Sequence, residues 1–597
     1  MIDRLRSPAR YIAFPVALAL IGIVASQNAY WMLLASTGAV LYILTMAFNL
    51  SYGYAGIFNL SIVAIYGIGA FTSIYAEVHL GWNFWLTIPF SVGIGSLVSI
   101  LVGLPTRRLN ELFLAIETLA FGLAVNELIQ NWTSFSGGAN GVYDVPVPHF
   151  FGIALVGGRL PYFWLCAIGA LLAYAIALRV SRSGVGRQFI ALREGPRVLA
   201  SVGASPGVVS LAAFGLSGGL AGLAGVLYGR LELFVSLGDF GFQQITLLLL
   251  ATILGGAGYL WGPVVGVVVL LAMDEFSLAT SADWELIYGV VILVLLFLGG
   301  GGIAGLAARS AERFRKPVRP ALTASPSVAR SQPETSPSAS QNEFRSELGT
   351  DEVRVVFGGT AALIGASISV RSGEVVGIIG PNGAGKTSLV NAISGDVRVT
   401  SGDIRLDGRS VLGRTQDAIV RRGIGRTFQS PQFVPDLSVV DNVMLAHDGS
   451  GWVGLLRQLV PSARLRVAER RSRAVAMNLL RDFGIGEQAV RAGRQQTYGA
   501  LRIAEIVRNL MLSPRFLLLD EPGAGLTETE RAELAVHVRQ VRDRGIGVLL
   551  IDHNLPLIRT TCDRVYALHH GAVVAHGTPD EVLSHPEVVV AYLGAGL

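Results

Sequence analysis

The sequence predicts a multi-domain chain: an α-helical polytopic membrane domain of about ten spans, then an α/β domain built around a phosphate-binding loop. Three observations predict it. Apolar segments fill roughly the first 300 residues, although charged residues make up only 15% of the whole chain. Lys316–Glu347 is rich in Pro, Ser, Ala, Thr and Gln without apolar periodicity, and reads as a disordered tether. Gly380–Ser388, GPNGAGKTS, fits G-x-x-x-x-G-K-[ST], with Gly380, Gly385, Lys386 and Thr387 in the defined places. At 597 residues the chain is also too long for one core. The expected division is a membrane domain over 1–305, a linker over 306–350 and a soluble domain over 351–597.

Arg4, Arg6 and Arg10 precede an apolar run with no evident small-residue cleavage site, so an anchored first helix is expected rather than a removed signal peptide. Apolar segments fall near 11–26, 29–50, 57–80, 82–104, 111–130, 159–180, 208–235, 241–260, 262–275 and 284–300. Several approach the ~20 residues that cross a bilayer. The first and ninth are short. The ninth reads as a re-entrant candidate, because Gly255-Gly256 and Gly262-Pro263 interrupt its region. Arginines cluster at the N-terminus, at Arg107 and Arg108, over Arg179–Arg197 and over Arg309–Arg319. With ten crossings these clusters share the cytoplasmic face and both ends lie inside. An odd count would strand the nucleotide-binding half where ATP is scarce. Asn131–Arg159 is then a long external loop where an extracytoplasmic partner could dock.

The net charge of +5 reads as membrane orientation, not nucleic-acid binding, since no basic patch is interleaved with aromatics. Cys166 and Cys562 lie far apart and imply neither a disulfide framework nor a thiolate metal site. Glycines within the spans, among them Gly53, Gly56, Gly67, Gly69, Gly215, Gly218, Gly219, Gly222 and Gly225, read first as close helix packing. Glu117, inside the fifth segment, is expected to face the protein interior or a wet cavity, in a pathway role or a hydrogen-bonded structural one. Glu127, Glu232 and Asp239 sit nearer span ends and read as interfacial. Arg182–Ser205 is polar, helical in pattern and bounded by Gly186 and Gly203. A short amphipathic helix there is a natural coupling element.

In the soluble half, Glu374–Ile379 reads as a buried strand and Thr387–Ser394 as the first turns of a helix, which is the context the phosphate loop needs. The loop, completed by Pro381, Asn382, Gly383, Ala384 and Ser388, would present backbone N–H groups to phosphates. Lys386 would reach the β- and γ-phosphates, and the Thr387 hydroxyl would hold Mg²⁺. Only Lys316 and Lys386 are lysines among 47 basic residues, so a compact point charge is kept where an arginine fork does not fit. Phe516–Asp520 reads as a buried strand ending in two acids. Asp520 would serve Mg²⁺, and Glu521 would orient or deprotonate an attacking water. Val548–Asp552 is another buried strand, followed by His553. Residues 430–512 read as helical, with the arginines near 462–482 on a solvated face.

SYGYAGIFNLSIVAIYGIGAF (51–71), LPTRRLNELFLAIETLAFG (104–122), SGGANGV (136–142) and LGGAGYLWGPVVG (254–266) resemble LivM, the membrane subunit of branched-chain amino acid ABC importers. Residues 182–205, with Gly186, Arg193, Glu194 and Gly203, resemble that family's coupling loop. Nearly all of 351–597 resembles the ATPase LivG, with RTFQ (426–429), DEPGAGL (520–526) and AYLG (591–594) favouring it over the sister ATPase LivF.

The resemblance implies ATP and Mg²⁺ as ligands and a multi-pass place in a bacterial plasma membrane, with the ATPase cytoplasmic. It also implies a second permease–ATPase pair (LivH/LivF-like, or a second copy of this chain) and an extracytoplasmic solute-binding protein. It assigns adenine stacking to Phe357, contact with Mg²⁺ or the attacking water to Gln429, and γ-phosphate contact to His553. ABC ATPases pair head to tail, so Thr497, Tyr498 and Gly499 would cap the partner's ATP. The branch pattern S-Y-G-Q-Q is broken here by Ala500 and Leu501. That implies an asymmetric assembly with one fully competent site. LivM-type permeases carry leucine-like amino acids, urea, short amides or aromatic acids. An exporter and a non-transporting membrane ATPase that regulates a partner complex are the alternatives. An exporter of the fused kind would have about six long helices with large cytoplasmic extensions. Against the regulator stand the intact Lys386, Glu521 and His553.

Overall fold

The computed structural model describes residues 9–105, 111–143, 145–231, 234–280, 289–290, 293, 301–313, 346–448, 451–460 and 462–593. Arg4, Arg6, Arg107, Arg108, Glu232, the tether with Lys316, nearly all of segment 284–300 and Gly594 of the AYLG ending lie outside the described residues. By its contacts the chain divides into two units. One comprises Met1–Pro196, Pro206–Phe314 and Gly451–Pro461; the other comprises Arg197–Ser205, Arg315–Ser450 and Ser462–Leu597.

The first unit is helical. Apolar helices run over Ala9–Ala25, Ala29–Phe48, Ile62–Leu80, Phe84–Gly103, Glu111–Asn131, Leu160–Arg182, Pro206–Tyr228, Phe242–Gly255 and Gly262–Thr280. A helix apolar on all sides satisfies its own backbone and suits a lipid or protein interior equally. Among the described residues, six helices are long and apolar enough to cross a membrane. The first expected segment is short, as expected, but the second short one is the eighth and not the ninth, with 14 residues against 19. The glycine pairs make the turn between them: a Cβ added at Gly255 would lie 2.0 Å from the Gly262 carbonyl oxygen. A two-stranded hairpin, β1 (His149–Phe150) and β2 (Ile153–Ala154), lies in the loop before Leu160–Arg182.

Three helices touch backbone to backbone. A Cβ at Gly69 would come within 2.6 Å of the Gly222 carbonyl oxygen, one at Gly95 within 2.5 Å of that of Gly218, and one at Gly222 within 2.5 Å of that of Ser91. The expected packing role of the span glycines is therefore met by Ile62–Leu80, Phe84–Gly103 and Pro206–Tyr228. Glu77 and Arg230 pair at 2.7 Å, with the Arg230 side chain fully buried. One carboxylate oxygen of Glu117 is buried and has no hydrogen-bond partner among the described residues, so the hydrogen-bonded structural role finds no support there.

Ala29–Phe48 runs on into a π-helical turn, Asn49–Tyr54. The Asn49 side chain donates to the Tyr259 carbonyl (3.1 Å) and accepts from the Gly258 amide (2.8 Å), while Arg193 donates to the Gly53 carbonyl at 3.0 Å. Three segments distant in sequence thus meet around one wide turn, a feature often found at functional positions. The expected single helix over 182–205 is instead two, Gly184–Glu194 and Pro196–Ala200. Gly195 and the missing N–H of Pro196 break it. Gly184–Ala191 is buried along its length, Arg187 and Gln188 included, and belongs to the first unit, whereas Arg197–Ser205 groups with the second. Gly186 sits where a Cβ would lie 2.2 Å from the Val180 carbonyl oxygen.

The second unit is built on two sheets. Strands β3 (Glu347–Phe357), β4 (Thr360–Arg371), β6 (Ser401–Leu406) and β7 (Arg409–Ser410) form an antiparallel sheet in the order β4-β3-β6-β7. Strands β5 (Val375–Ile379), β8 (Ile424–Thr427), β9 (Phe516–Asp520), β10 (Gly547–Ile551), β11 (Arg564–His569) and β12 (Ala572–Gly577) form the second, ordered β12-β11-β5-β10-β9-β8. All its pairings are parallel except the edge pair β11–β12. Every residue of β5, β9 and β10 is buried. Alternate side chains explain this. Val376, Ile378, Leu518 and Leu549 enter the core shared with β3, β4 and β6. Val375, Leu517, Leu519, Val548 and Leu550 enter a second core, with the helices Tyr498–Leu510 and Glu528–Arg542. A sheet covered on both faces reads as continuous apolar runs. The helix Ala463–Asp482 is largely exposed as expected, although Arg473 pairs with the buried Asp441 at 2.8 Å.

Candidate nucleotide-binding site

Register places the site. Ile551 of β10 pairs with both Asp520 of β9 and Ile378 of β5, and Thr427 of β8 pairs with Leu519. The four strands end nearly level. The residues just past their carboxyl ends therefore share one sheet edge: Gly380–Ser388, Phe428–Gln429, Glu521 and Asp552–His553. The carboxyl ends of parallel strands are where such sheets bind ligands.

Gly383 and Gly385 hold φ of +84° and +101°, which only glycine adopts without strain. A Cβ at Gly385 would also lie 2.5 Å from the Ala362 carbonyl oxygen. Gly385 opens the helix Lys386–Ile393, and no side chain caps that helix, so its first-turn amides keep their donors for an anion. The Lys386 ammonium is buried and donates to the Gly380 (2.7 Å) and Pro381 (2.9 Å) carbonyls. Burial lowers its pKa, and the carboxylates of Glu521 and Asp520 oppose that shift. Asn382 and Thr387 are exposed, Pro381 and Ser388 half-buried and Ala384 buried. Backbone amides, one ammonium and the Thr387 and Ser388 hydroxyls on a single curl form a donor set that fits a nucleotide's phosphates. The exposed Thr387 hydroxyl and Asp520 are of the hard oxygen type that suits Mg²⁺.

Asp520 is buried, with its Oδ2 3.1 Å from Arg426. Arg426 also donates to Asp396 (2.8 Å), Ser394 Oγ and Asn391 Oδ1 (both 2.6 Å). Burial raises the Asp520 carboxyl, and Arg426 draws it back down. Glu521 holds φ of +46°, an uncommon value for a residue with a side chain. Its Oε2 accepts from Gln429 Nε2 at 3.0 Å and its amide donates to Ile551 at 2.8 Å. The predicted Gln429 and Glu521 are thus in direct contact. Asp552 is buried and accepts from the amides of Gly523 and Asn554, both at 2.9 Å. His553 is exposed, and its Nδ1 lies 3.9 Å from Asp552, beyond hydrogen-bond range. Phe357 ends β3 half-exposed.

Thr497 caps Tyr498–Leu510, accepting from the Ala500 amide at 3.3 Å. Thr497 and Tyr498 are exposed. A Cβ at Gly499 would approach Glu530 Oε1 to 2.8 Å. Ala500 is buried in the second core and Leu501 only half-buried, so the two departures from the family pattern sit in different surroundings.

Sequence reasoning missed a buried cluster on this same helix. Arg502 donates to the carbonyls of Phe428 and Gln429 and, at 2.8 Å, to the Tyr498 hydroxyl, which itself donates to Gln429 at 3.1 Å. Glu505 lies 3.5 Å from both Arg502 and Arg508, and accepts from the amides of Phe428 and Gln432 at 3.4 Å. Burial raises the Glu505 carboxyl against the pull of both arginines, and lowers Arg508. The triad clamps the Gln429 segment to the helix that Thr497 opens. Arg508 also reaches Ser201 Oγ at 3.5 Å, and Arg421 donates to the Gly203 carbonyl at 2.8 Å, so the same unit seats Arg197–Ser205. The only signal in the sequence was arginine and glutamate three apart, a spacing that on most helices marks a solvated pair.

Residues 30–306 match the family described as branched-chain amino acid transport system / permease component. Residues 363–524 match the ABC transporter family, and 572–597 the branched-chain amino acid ATP-binding cassette transporter. The high-affinity branched-chain amino acid transport ATP-binding protein BraF of Pseudomonas aeruginosa is 36% identical over 239 residues, covering 40% of this chain and 94% of that protein. LivG of Salmonella typhimurium is 35% identical over 248 residues, covering 41% and 97%. A solved ATP-binding cassette of an ABC transporter, MJ1267 in its ADP conformation, shares 29% identity over 42% of this chain and 99% of that one, at a TM-score of 0.37. The chain belongs to the LIV-type branched-chain amino acid ABC transporter family, and joins a LivM-like permease to a LivG-like ATP hydrolase in one polypeptide.

Proposed function

We propose that this chain is the fused permease and ATPase of an ATP-driven importer for branched-chain or other hydrophobic amino acids, or a related small polar solute. In this reading the permease is 1–305 with about ten crossings, the tether 306–350 and the ATPase 351–597. The chain lies in a bacterial plasma membrane with the ATPase in the cytoplasm. It works with a second permease–ATPase pair, LivH/LivF-like or a second copy, and with an extracytoplasmic solute-binding protein. The observation that carries the reading is the meeting of the phosphate loop, Gln429, Glu521 and His553 at one sheet edge, in a chain whose other half is a LivM-like permease.

Each residue then has a task. The amides of Gly380–Ser388 and the Lys386 ammonium hold phosphate oxygens, and Phe357 takes the adenine. Thr387, Gln429 and Asp520 would hold Mg²⁺, which when bound neutralises charge on the β- and γ-phosphates. Glu521, oriented by Gln429, draws the proton from the attacking water, and His553 contacts the γ-phosphate. Thr497, Tyr498 and Gly499 face the ATP of the partner ATPase. Motion at Gln429 would pass through the buried triad to Arg197–Ser205, which belongs to the same unit.

Uptake of labelled leucine by cells carrying the wild type or Glu521→Gln tests the reading. Loss of uptake, with the variant still inserted and ATP turnover lowered by about 10²–10⁴, supports it. Unchanged uptake removes leucine from the proposal, and efflux that depends on Glu521 replaces import with export.

A further inference from the structure

We infer that the hairpin of β1 and β2 is a membrane-interface finger, and that its partner is the headgroup and upper acyl region of the lipid around the first unit. The inference goes beyond transport and rests only on the membrane placement proposed above.

The composition of the hairpin is unlike that of a water-facing loop. Residues 145–158, VPVPHFFGIALVGG, hold no Asp, Glu, Lys or Arg. Yet the five residues 149–153 are all exposed, Phe151 to 92%. Phe150 pairs with Ile153, so Phe151 and Gly152 make a two-residue turn. Their φ values are +47° and +82°. A turn with positive φ at both positions favours Asn-Gly. Phenylalanine there carries backbone strain, and at such exposure its ring gains almost nothing from the fold. An apolar ring held out at a strained tip is explained by a medium that takes it up.

The surroundings name that medium. Trp85, in the first turn of Phe84–Gly103, donates from its indole nitrogen to the His149 carbonyl at 3.2 Å, and its ring lies 5.3 Å from that of Phe150. Trp82 and Phe90 meet at 4.9 Å at the same end of that helix. Tryptophans collect where a bilayer meets water. The body of the helix tells lipid from protein. Leu86, Phe90, Leu97 and Leu101 are exposed and fall within an arc of about 60°. Ser91, Gly95 and Ser99, on the opposite side, are buried against Pro206–Tyr228. Small residues mark the face that packs on other helices, so the stripe of large ones is left to lipid. The hairpin is therefore tied to the level at which a lipid-facing helix leaves the bilayer. A docking patch for a soluble protein carries a polar rim. In 145–158 the only polar side chain is His149.

The test reads residue 151 in the full chain in lipid nanodiscs, with no soluble partner added. Cys166 and Cys562 are buried, so Phe151→Cys supplies one accessible thiol. Val536→Cys, at an exposed position on Glu528–Arg542 of the second unit, is the comparison. A charged methanethiosulfonate reagent is expected to modify residue 151 at least about tenfold more slowly than residue 536, since a thiolate forms poorly out of water. A fluorophore on residue 151 is expected to lose about half or more of its emission when the discs carry lipids brominated near the headgroup, and one on residue 536 to keep it. Ile153→Cys repeats both readings without touching the turn. Equal reaction rates at 151 and 536, or slow reaction without quenching, overturns the inference. A chain that does not enter the discs sinks the membrane placement itself, a failure distinct from a chain that enters them with residue 151 in water.

Discussion

Lys386 shows how little freedom one side chain can have. Its ammonium sits between two carbonyls of its own loop, 2.7 and 2.9 Å away, in a space sized for a point charge. A guanidinium is a planar fork and cannot place its charge there. Lys386→Arg is therefore expected to weaken binding of a fluorescent ATP analogue by about ten- to a hundredfold, the worth of one charge-assisted contact, and equal affinity would refute the assignment. Glu505 makes the opposite case. It is wholly buried between two buried arginines. Glu505→Gln strands those charges, a change that destabilises by about 3–5 kcal/mol, and hydrogen exchange over Phe428–Gln432 should quicken accordingly. Lys386, Asp520 and Glu521 were legible in the sequence because phosphate chemistry restricts residue type and spacing together. Arg426, Arg502, Glu505 and Arg508 were not. Their importance comes from burial, and burial of a charged residue is decided by partners far away in the sequence, 94 positions for Arg426 and Asp520 and 307 for Arg508 and Ser201.

Among elements, the helices of the first unit divide glycines into two kinds. Gly222 faces backbone: its Cβ would lie 2.5 Å from the Ser91 carbonyl oxygen, which cannot step aside as a side-chain end can. Gly93 has nothing within 4 Å of the same position. Gly222→Ala is expected to destabilise the folded unit by about 1–3 kcal/mol, visible as a lost monodisperse peak in detergent, whereas Gly93→Ala should leave it intact or firmer. That glycines pack helices was readable from composition. Which ones do so was not, because the pairing is set by register between helices more than 100 residues apart, Gly69 and Gly95 against Gly222 and Gly218. The break at Gly195–Pro196 is different: both residues stood in the sequence as a stop signal, and the amphipathic pattern on either side outweighed them.

For the whole molecule, the altered signature bears on the proposed pairing with a second ATPase. Ala500 is buried in a packed core, so a glutamine there would strain the helix, while the half-buried Leu501 has room. Leu501→Gln alone is expected to raise ATP turnover of the assembled complex by roughly two- to tenfold, about one hydrogen bond's worth, if this signature limits the partner's site. Unchanged turnover in a steady-state assay would mean that the partner's site does not depend on it.

The backbone contacts among Ile62–Leu80, Phe84–Gly103 and Pro206–Tyr228 also bear on the lipid around them. These helices have 19, 20 and 23 residues, hence lengths of about 28–35 Å, near the ~30 Å of a hydrocarbon core. Helices that meet through side chains can change their mutual tilt when a bilayer thickens or thins. Helices joined carbonyl to glycine lack the intervening layer that would let them do so. The lipid has to deform around this block, and transport in vesicles should peak at one acyl-chain length and fall on both sides of it.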